Sequence, residues 1–222
     1  MIQRLCLFLF STFVFAELPP VQATDTLEQV RMSRGEVIVD QQDIGATKFV
    51  VAKILIDAPP EKVWPVLTNP FEFQGKISPR MKQVEVLTDR ADLSVLRVTV
   101  NPGFFLPPFT YSVESRYEPD QRIDFRRVGG TLKDFKGYWT ISPQSEGRKS
   151  EVTYGMYVDP GIPVPQWIIR AGVRDELPRT LTAMRERVQA VYTGHETLST
   201  RTIAAAEHAV QHAEVPRPAN HS

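Results

Sequence analysis

Residues 48–67 read KFVVAKILIDAPPEKVWPVL. The first ten, Lys48–Asp57, are rich in Val and Ile, the composition of a strand. The run stops at Ala58-Pro59-Pro60. Proline has no N–H for a sheet ladder, yet it suits a helix start, where the N–H would be unpaired anyway. Asp57 is placed to cap that helix, and Glu61 to meet the positive end of its dipole. EKVWPVL then predicts a short helix with Val63, Trp64 and Leu67 on one side and Pro65 within its first turns.

Before this unit lies a polar connector, 24–34, and a short strand in GEVIVDQQ, 35–42. After it, NPFEFQGKISPR (69–80) reads as a loop with room for one more helical turn. The pattern then changes to period two. MKQVEVLTD, LSVLRVTV, FTYSVESRYEP, RIDFRRV, KGYWTIS and SEVTYGMYVD predict six strands between 81 and 159. Short joints with turn chemistry, such as Glu118-Pro119-Asp120-Gln121 and Ser145-Glu146-Gly147, make them an antiparallel meander. Alternation assigns one face to Val84, Val86, Leu96, Val98, Val100, Tyr111, Val113, Ser115, Tyr117, Ile123, Phe125, Phe135, Gly137, Trp139, Ile141, Val152, Tyr154, Met156 and Val158. The opposite face carries most of the charge and should be wet.

The cover for the apolar face comes last. In residues 165–193, Trp167, Ala171, Arg174, Leu177, Leu181, Met184, Val188 and Val191 recur at three and four, the stripe of a long helix. Pro178 predicts a kink, because it removes a backbone bond near Arg174. At ~1.5 Å per residue the helix would be about 40 Å long, enough to cross a sheet. The tail 194–222 is polar; its pattern allows a helix from about 196 to 212, with little to bury. The fold class is therefore α+β: a curved antiparallel sheet covered by a short early helix and a long C-terminal one.

Composition narrows the function. The chain has 222 residues, 42% hydrophobic, and Lys+Arg equals Asp+Glu at 26 each. That is the balance of a globular protein, and with no basic run nucleic acid is not expected as a partner. Residues 1–23 read as a signal peptide: Arg4, then an apolar run Leu5–Phe15, then small residues with cuts after Ala16 or Ala23. The expected location is periplasmic or extracellular. The only cysteine, Cys6, lies in that leader, so a mature domain would have no disulfide.

Catalytic chemistry is thinly represented. All four histidines, His195, His208, His212 and His221, lie after Tyr192. A folded region without His or Cys has no Ser-His or Cys-His pair and no usual zinc set, so no cofactor or metal is expected. Glu114 and Asp124 alternate onto the wet face. Tyr111, Tyr117 and Tyr154 alternate inward, as core rings or as partners for a ligand carbonyl. Arg127 shares the inward parity, either reaching solvent from an edge or meeting an anionic head group.

The order of motifs resembles a known family. ILIDAPPEKVWPVLTNPFEFQGKISPRMKQVEVL, DFKGYWTISPQSEGRKSEVTYGMYVDP and IPVPQWIIRAGVRDELPRTLTAMRERV are similar to the START-like helix-grip superfamily (SRPBCC), in its polyketide cyclase/dehydrase and coenzyme Q-binding branch. The resemblance covers about 45–192, within a domain running 35–193. It implies a hydrophobic cavity between sheet and C-terminal helix, entered through loops at one end.

That implication bears on NPGFFLPPFT, 101–110, a connection far more apolar than a turn between strands usually is. Phe104, Phe105, Leu106 and Phe109 would form a rim or a peripheral membrane contact, or else fold back into the core. The expected ligand set is Val98, Phe104, Phe105, Leu106, Phe109, Tyr111, Phe125, Trp139, Met156 and Trp167. The expected function is an exported carrier of a lipid or other hydrophobic small molecule. The alternatives are a cyclase or dehydratase on a polyketide-like substrate, and an interaction module with a filled core.

Overall fold

The computed structural model describes residues 21–102 and 107–198. Eight strands form one antiparallel sheet: β1 (Ile38–Ile44), β2 (Thr47–Ile56), β3 (Met81–Asp89), β4 (Leu93–Val100), β5 (Phe109–Glu118), β6 (Arg122–Gly130), β7 (Asp134–Gln144) and β8 (Lys149–Asp159). Their spatial order is β1-β2-β8-β7-β6-β5-β4-β3. The meander of six is therefore joined to the first hairpin through β2 and β8, with Val50 opposite Met156 and Ile54 opposite Val152.

Among the described residues four helices accompany the sheet: α1 (Val21–Ser33), α2 (Pro60–Thr68), α3 (Pro70–Phe73) and α4 (Gln166–Tyr192). The helix-grip architecture predicted from the strand, the proline pair and the closing stripe is present. Asp57 does not cap α2, whose N-cap is Pro59; it pairs instead with Lys149 at 3.2 Å. The side chain of Asn69 caps α3 by accepting from the Phe71 N–H at 3.0 Å.

The connector at 24–34 lies largely within α1. A polar sequence hid it, since Met32 is its one deeply buried apolar residue among those with described side chains. Glu28 bonds Lys53 at 2.9 Å and Gln29 bonds Glu151 at 2.8 Å, so charge holds α1 to the outer face of β2 and β8. That part of the outer face is covered.

The core sits on the inner face. Val50, Ala52, Ile54 and Ile56 of β2 and Val152 of β8 join Val63, Val66 and Leu67 of α2 and Leu177, Leu181, Met184 and Val188 of α4. Each such side chain contributes about 1.5–3 kcal/mol by leaving water. Burial along α4 begins only at Leu177. Trp167, Ala171 and Arg174, expected on the buried stripe, are exposed, Trp167 at 65%. Helical spacing says which residues share a face, not where a neighbour begins beneath them.

A buried ion pair locks α3 to α4. Glu72 accepts from Arg187 through both carboxylate oxygens, at 2.5 and 3.1 Å, with both side chains buried. Arg187 also bonds Glu196 and the carbonyl of Thr197, which returns the chain after α4 to the same corner.

Three irregularities bend the far half of the sheet. Between β3 and β4 the register shifts at Lys82 and again at Leu87, and between β5 and β6 it shifts at Val128. Each inserts one residue and increases local twist, and those at Leu87 and Val128 leave an exposed apolar side chain. The shift at Leu87 has a further effect. Val84 and Val86 face inward opposite Val98 and Leu96, but past Leu87 it is Asp89 that stands opposite Ser94.

Candidate functional site

The inner face of β3–β7 is not filled. An inner cavity of about 120 Å³ lies between that face and the α2–α3 corner. Leu67, Thr68, Pro70 and Phe73 form its roof, and Val98, Tyr111, Val113, Phe125, Trp139 and Tyr154 are among its floor and walls. A second, more polar hollow of about 450 Å³ adjoins it. Trp64, Asn69, Phe71, Val86, Asp89, Arg90, Ala91 and Ser94 line only this outer cleft, while Thr68, Pro70, Leu96 and Tyr117 line both. The inner cavity alone falls below the ~300 Å³ at which ordinary ligand pockets begin; the outer cleft lies within that range.

Rings build the inner cavity and also keep it open. Trp139 stacks on Tyr154 with centroids 3.7 Å apart and planes 7° apart. Tyr111 meets Phe135 edge-on at 4.9 Å, and Phe125 lies 5.1 Å from Phe135. Such pairs hold one another in fixed geometry and leave gaps an aliphatic chain would fill. Gly137 makes the floor possible. A Cβ there would fall 2.3 Å from the Phe125 ring and 2.2 Å from the Gly155 carbonyl, so any side chain would displace the ring.

The polar groups are hydroxyls. Burial pushes the Tyr111 and Tyr154 phenols far above their usual range, so both stay neutral. Tyr154 Oη donates to the sulfur of Met156 at 3.2 Å. Tyr117 Oη and Ser94 Oγ lie 2.5 Å apart at the seam between the hollows. Burial also raises the Tyr117 phenol, an effect opposed by that hydrogen bond and reinforced by the charge of Asp89. The inner cavity has no carboxylate, histidine or lysine among its described lining residues.

Val98, Tyr111, Phe125 and Trp139, expected in the ligand set, do come together in this cavity. Phe109 packs beside Tyr111 at 6.0 Å without lining it. Met156 is half-buried against the core and accepts a hydrogen bond from Tyr154. Trp167 is removed from the set because it stands in solvent on the first turn of α4. Phe104, Phe105 and Leu106 lie outside the described residues.

The expected location between sheet and α4 is also corrected. Among the described lining residues none belongs to α4; the hollow lies under α2–α3 instead. The C-terminal half of α4 fills its own share of the sheet. Its middle is tied across the gap by Glu176, which pairs with Arg80, just before β3, at 3.3 Å. Sequence reasoning left out Thr68, Pro70 and Phe73, because 69–80 carries no periodic signal. It left out Asp89 because an unseen bulge decides which way that side chain faces, and Ser94 although it shares the parity of Leu96 and Val98. Arg127 bonds the Gly130 carbonyl at 2.9 Å, and its Nε is buried with no partner among the described residues.

Comparison with known proteins agrees with this geometry. Residues 56–185 match the family described as polyketide cyclase / dehydrase and lipid transport. No curated protein shows significant similarity to the chain. Among solved structures, a STAR-related lipid transfer protein from Xanthomonas axonopodis superposes with a TM-score of 0.59 at 18% identity, covering 69% of this chain and 93% of that one. The Zhui aromatase/cyclase from Streptomyces sp. R1128 gives 0.57 at 16% identity, covering 68% and 98%. A START superfamily protein from Mycobacterium smegmatis gives 0.56 at 16% identity, covering 64% and 98%. At these identities the likeness is one of fold.

Proposed function

The chain belongs to the polyketide cyclase/dehydrase and lipid transport family, and from that premise we propose that it is a carrier for a lipid or other hydrophobic small molecule. One observation carries the reading: a ring-lined apolar hollow on the inner face of the sheet that shares Thr68, Pro70, Leu96 and Tyr117 with a larger, more polar cleft. Burial of the guest's apolar surface would supply the affinity, at roughly 25 cal/mol per Å² before the costs of association. The cyclase alternative needs a group that can take up a proton near neutral pH. The inner lining supplies phenols that burial keeps protonated, which favours the carrier.

Export is part of the proposal. It rests on the Leu5–Phe15 run and the small residues after it. Peripheral contact with a membrane is a further part. β4 ends at Val100 and β5 begins at Phe109 at the same end of the sheet as the link from β8 to α4, where Ile162, Trp167 and Ile168 are exposed. The N-terminus of the mature protein and cosedimentation with vesicles test these two parts.

The main test is direct. Protein purified from its own compartment is extracted with organic solvent, and the extract is identified by mass. A stoichiometric hydrophobic molecule is expected. Protein that is empty when isolated, and that takes up no labelled fatty acid, glyceride or isoprenoid afterwards, overturns the proposal.

A further inference from the structure

Three tyrosines line the inner hollow, and their hydroxyls are engaged differently. Tyr154 Oη donates to the Met156 sulfur, and Tyr117 Oη is bonded to Ser94 Oγ. Tyr111 Oη has no hydrogen-bond partner among the described residues, although Tyr111 is only 7% exposed. We propose that Tyr111 is the polar anchor of the guest site, donating a hydrogen bond to an uncharged oxygen, a ketone or ester carbonyl, carried within the guest's apolar body. This rests on the carrier reading and sharpens it.

The Tyr111 oxygen is placed for that task. Its ring meets Phe135 edge-on at 4.9 Å and lies beside Phe109 at 6.0 Å, neighbours that hold it in position. Arg127 Nε and Gln166 Oε1 are orphan atoms sealed within the protein; Tyr111 Oη is not sealed, and the hollow is the space its side chain lines. After burial, the Tyr111 oxygen is the next influence holding the Tyr154 phenol neutral, so the two oxygens lie within charge range of each other. A buried hydroxyl left unpaired costs stability, and Phe would fill the same volume without that cost. The hydroxyl therefore has a use outside the fold.

The lining decides the chemistry of its partner. Trp139 adds an indole N–H, which can only donate and also has no partner among the described residues. Burial keeps the Tyr111 phenol protonated, so it too donates. No Asp, Glu, Lys, Arg or His is among the described lining residues. The hollow thus has donors in excess and no cation. A carboxylate brought beside Tyr111 would lose its water without gaining a counter-charge, whereas a carbonyl oxygen needs only the donor. The guest's other end, wherever it lies, is not constrained by Tyr111.

The test compares 2-nonanone with 2-methyl-1-nonene, in which a methylene group replaces the carbonyl oxygen. Binding of each to the full chain, freed of bound lipid, is measured by headspace gas chromatography. The ratio of ketone to alkene affinity should fall about fivefold in Tyr111→Phe, the effect of one hydrogen bond. It should stay within about twofold of wild type in Ser115→Ala and in Tyr154→Phe, whose hydroxyl already serves Met156. In the wild type, the infrared carbonyl stretch of bound 2-nonanone should lie below its value in an alkane solvent. Tyr111→Phe should return it toward that value.

A labelled isoprenoid in the same buffer separates the two ways of failing. If none of the three compounds binds, the carrier reading falls, and this proposal with it. If the isoprenoid binds but the ketone does not, the carrier stands and the carbonyl is wrong. If the ketone's preference survives Tyr111→Phe, or its stretch in the wild type matches the alkane value, Tyr111 is not the anchor.

Discussion

One sheet face is used in two ways. Under the C-terminal half of α4, the aliphatic residues of β2 and β8 meet the buried Leu177, Leu181, Met184 and Val188 in one core cluster. Under α2–α3, the rings of β5, β6, β7 and β8 stand against one another and line an open hollow. Both halves are apolar and antiparallel. They differ in side-chain shape and in curvature. Flexible or branched aliphatics interlock with a helix, while rings fix one another at set angles and cannot collapse into the gaps. The bulges at Leu87 and Val128 both fall in the hollow half and bend it away from a flat contact. A strong half holds the fold, which leaves the other half free to stay incomplete.

The largest effect should follow from the pair that joins the halves. Glu72 belongs to the roof of the hollow half and Arg187 to the filled half, and both are buried. Removing Arg187 takes away the bidentate partner of the buried Glu72 and leaves Lys76 at 4.0 Å; breaking a buried pair from one side typically costs about 3–5 kcal/mol. Arg187→Leu should therefore lower the urea midpoint sharply. Arg187→Leu combined with Glu72→Leu should recover much of the loss, because the buried carboxylate goes with its partner, while Lys76 and Glu196 can turn to solvent. A loss below about 1 kcal/mol for the single variant would mean that the pair does not join the two halves.

A matched pair of truncations isolates packing. Leu181→Ala opens a new void in the filled half and should cost about 2–5 kcal/mol. Leu96→Ala removes the same atoms beside space that is already open, so it should cost less, about 1–2 kcal/mol by the transfer part of the same effect. Guest affinity should show the reverse order, falling for Leu96→Ala and staying near wild type for Leu181→Ala. Equal costs at the two sites in chemical denaturation would erase the distinction between the halves.

Much of this was legible before any coordinates. Period-two alternation identified the inner face nearly residue by residue, because burial on one side forces it, and the proline pair placed the turn into α2. The cavity was only half legible. Val98, Tyr111, Phe125 and Trp139 could be named from parity and ring size. Which helix would roof them could not, since that depends on how far the sheet bends. The bulge at Leu87 has no sequence mark, and without it Asp89 reads only as part of the turn into β4. Trp167 failed for a similar reason: its spacing is right, but the helix starts short of its cover. The polar α1 lacked an apolar stripe, and charges on Lys53 and Glu151 hold it instead.

The smallest effect at neutral pH is the most specific to the hollow half. Tyr111 and Tyr154 are kept neutral by burial, with phenols well above the ordinary value near 10. The unfolded chain gives up those protons at about pH 10, whereas the folded chain retains them. Their contribution is therefore complete below about pH 10 and declines as pH rises beyond it toward the folded-state values. The buried charge that serves the filled half does not titrate there, since the Glu72 carboxylate holds the Arg187 guanidinium above its already high range. Tyr111→Phe and Tyr154→Phe should thus change stability at pH 7 by no more than about 1.5 kcal/mol, yet flatten the fall in stability above about pH 10. In the wild type, the phenolate absorbance of these two residues should appear only as the chain unfolds. If it rises reversibly while the near-ultraviolet circular dichroism remains native, water already reaches both rings, and the inner cavity is wet rather than apolar.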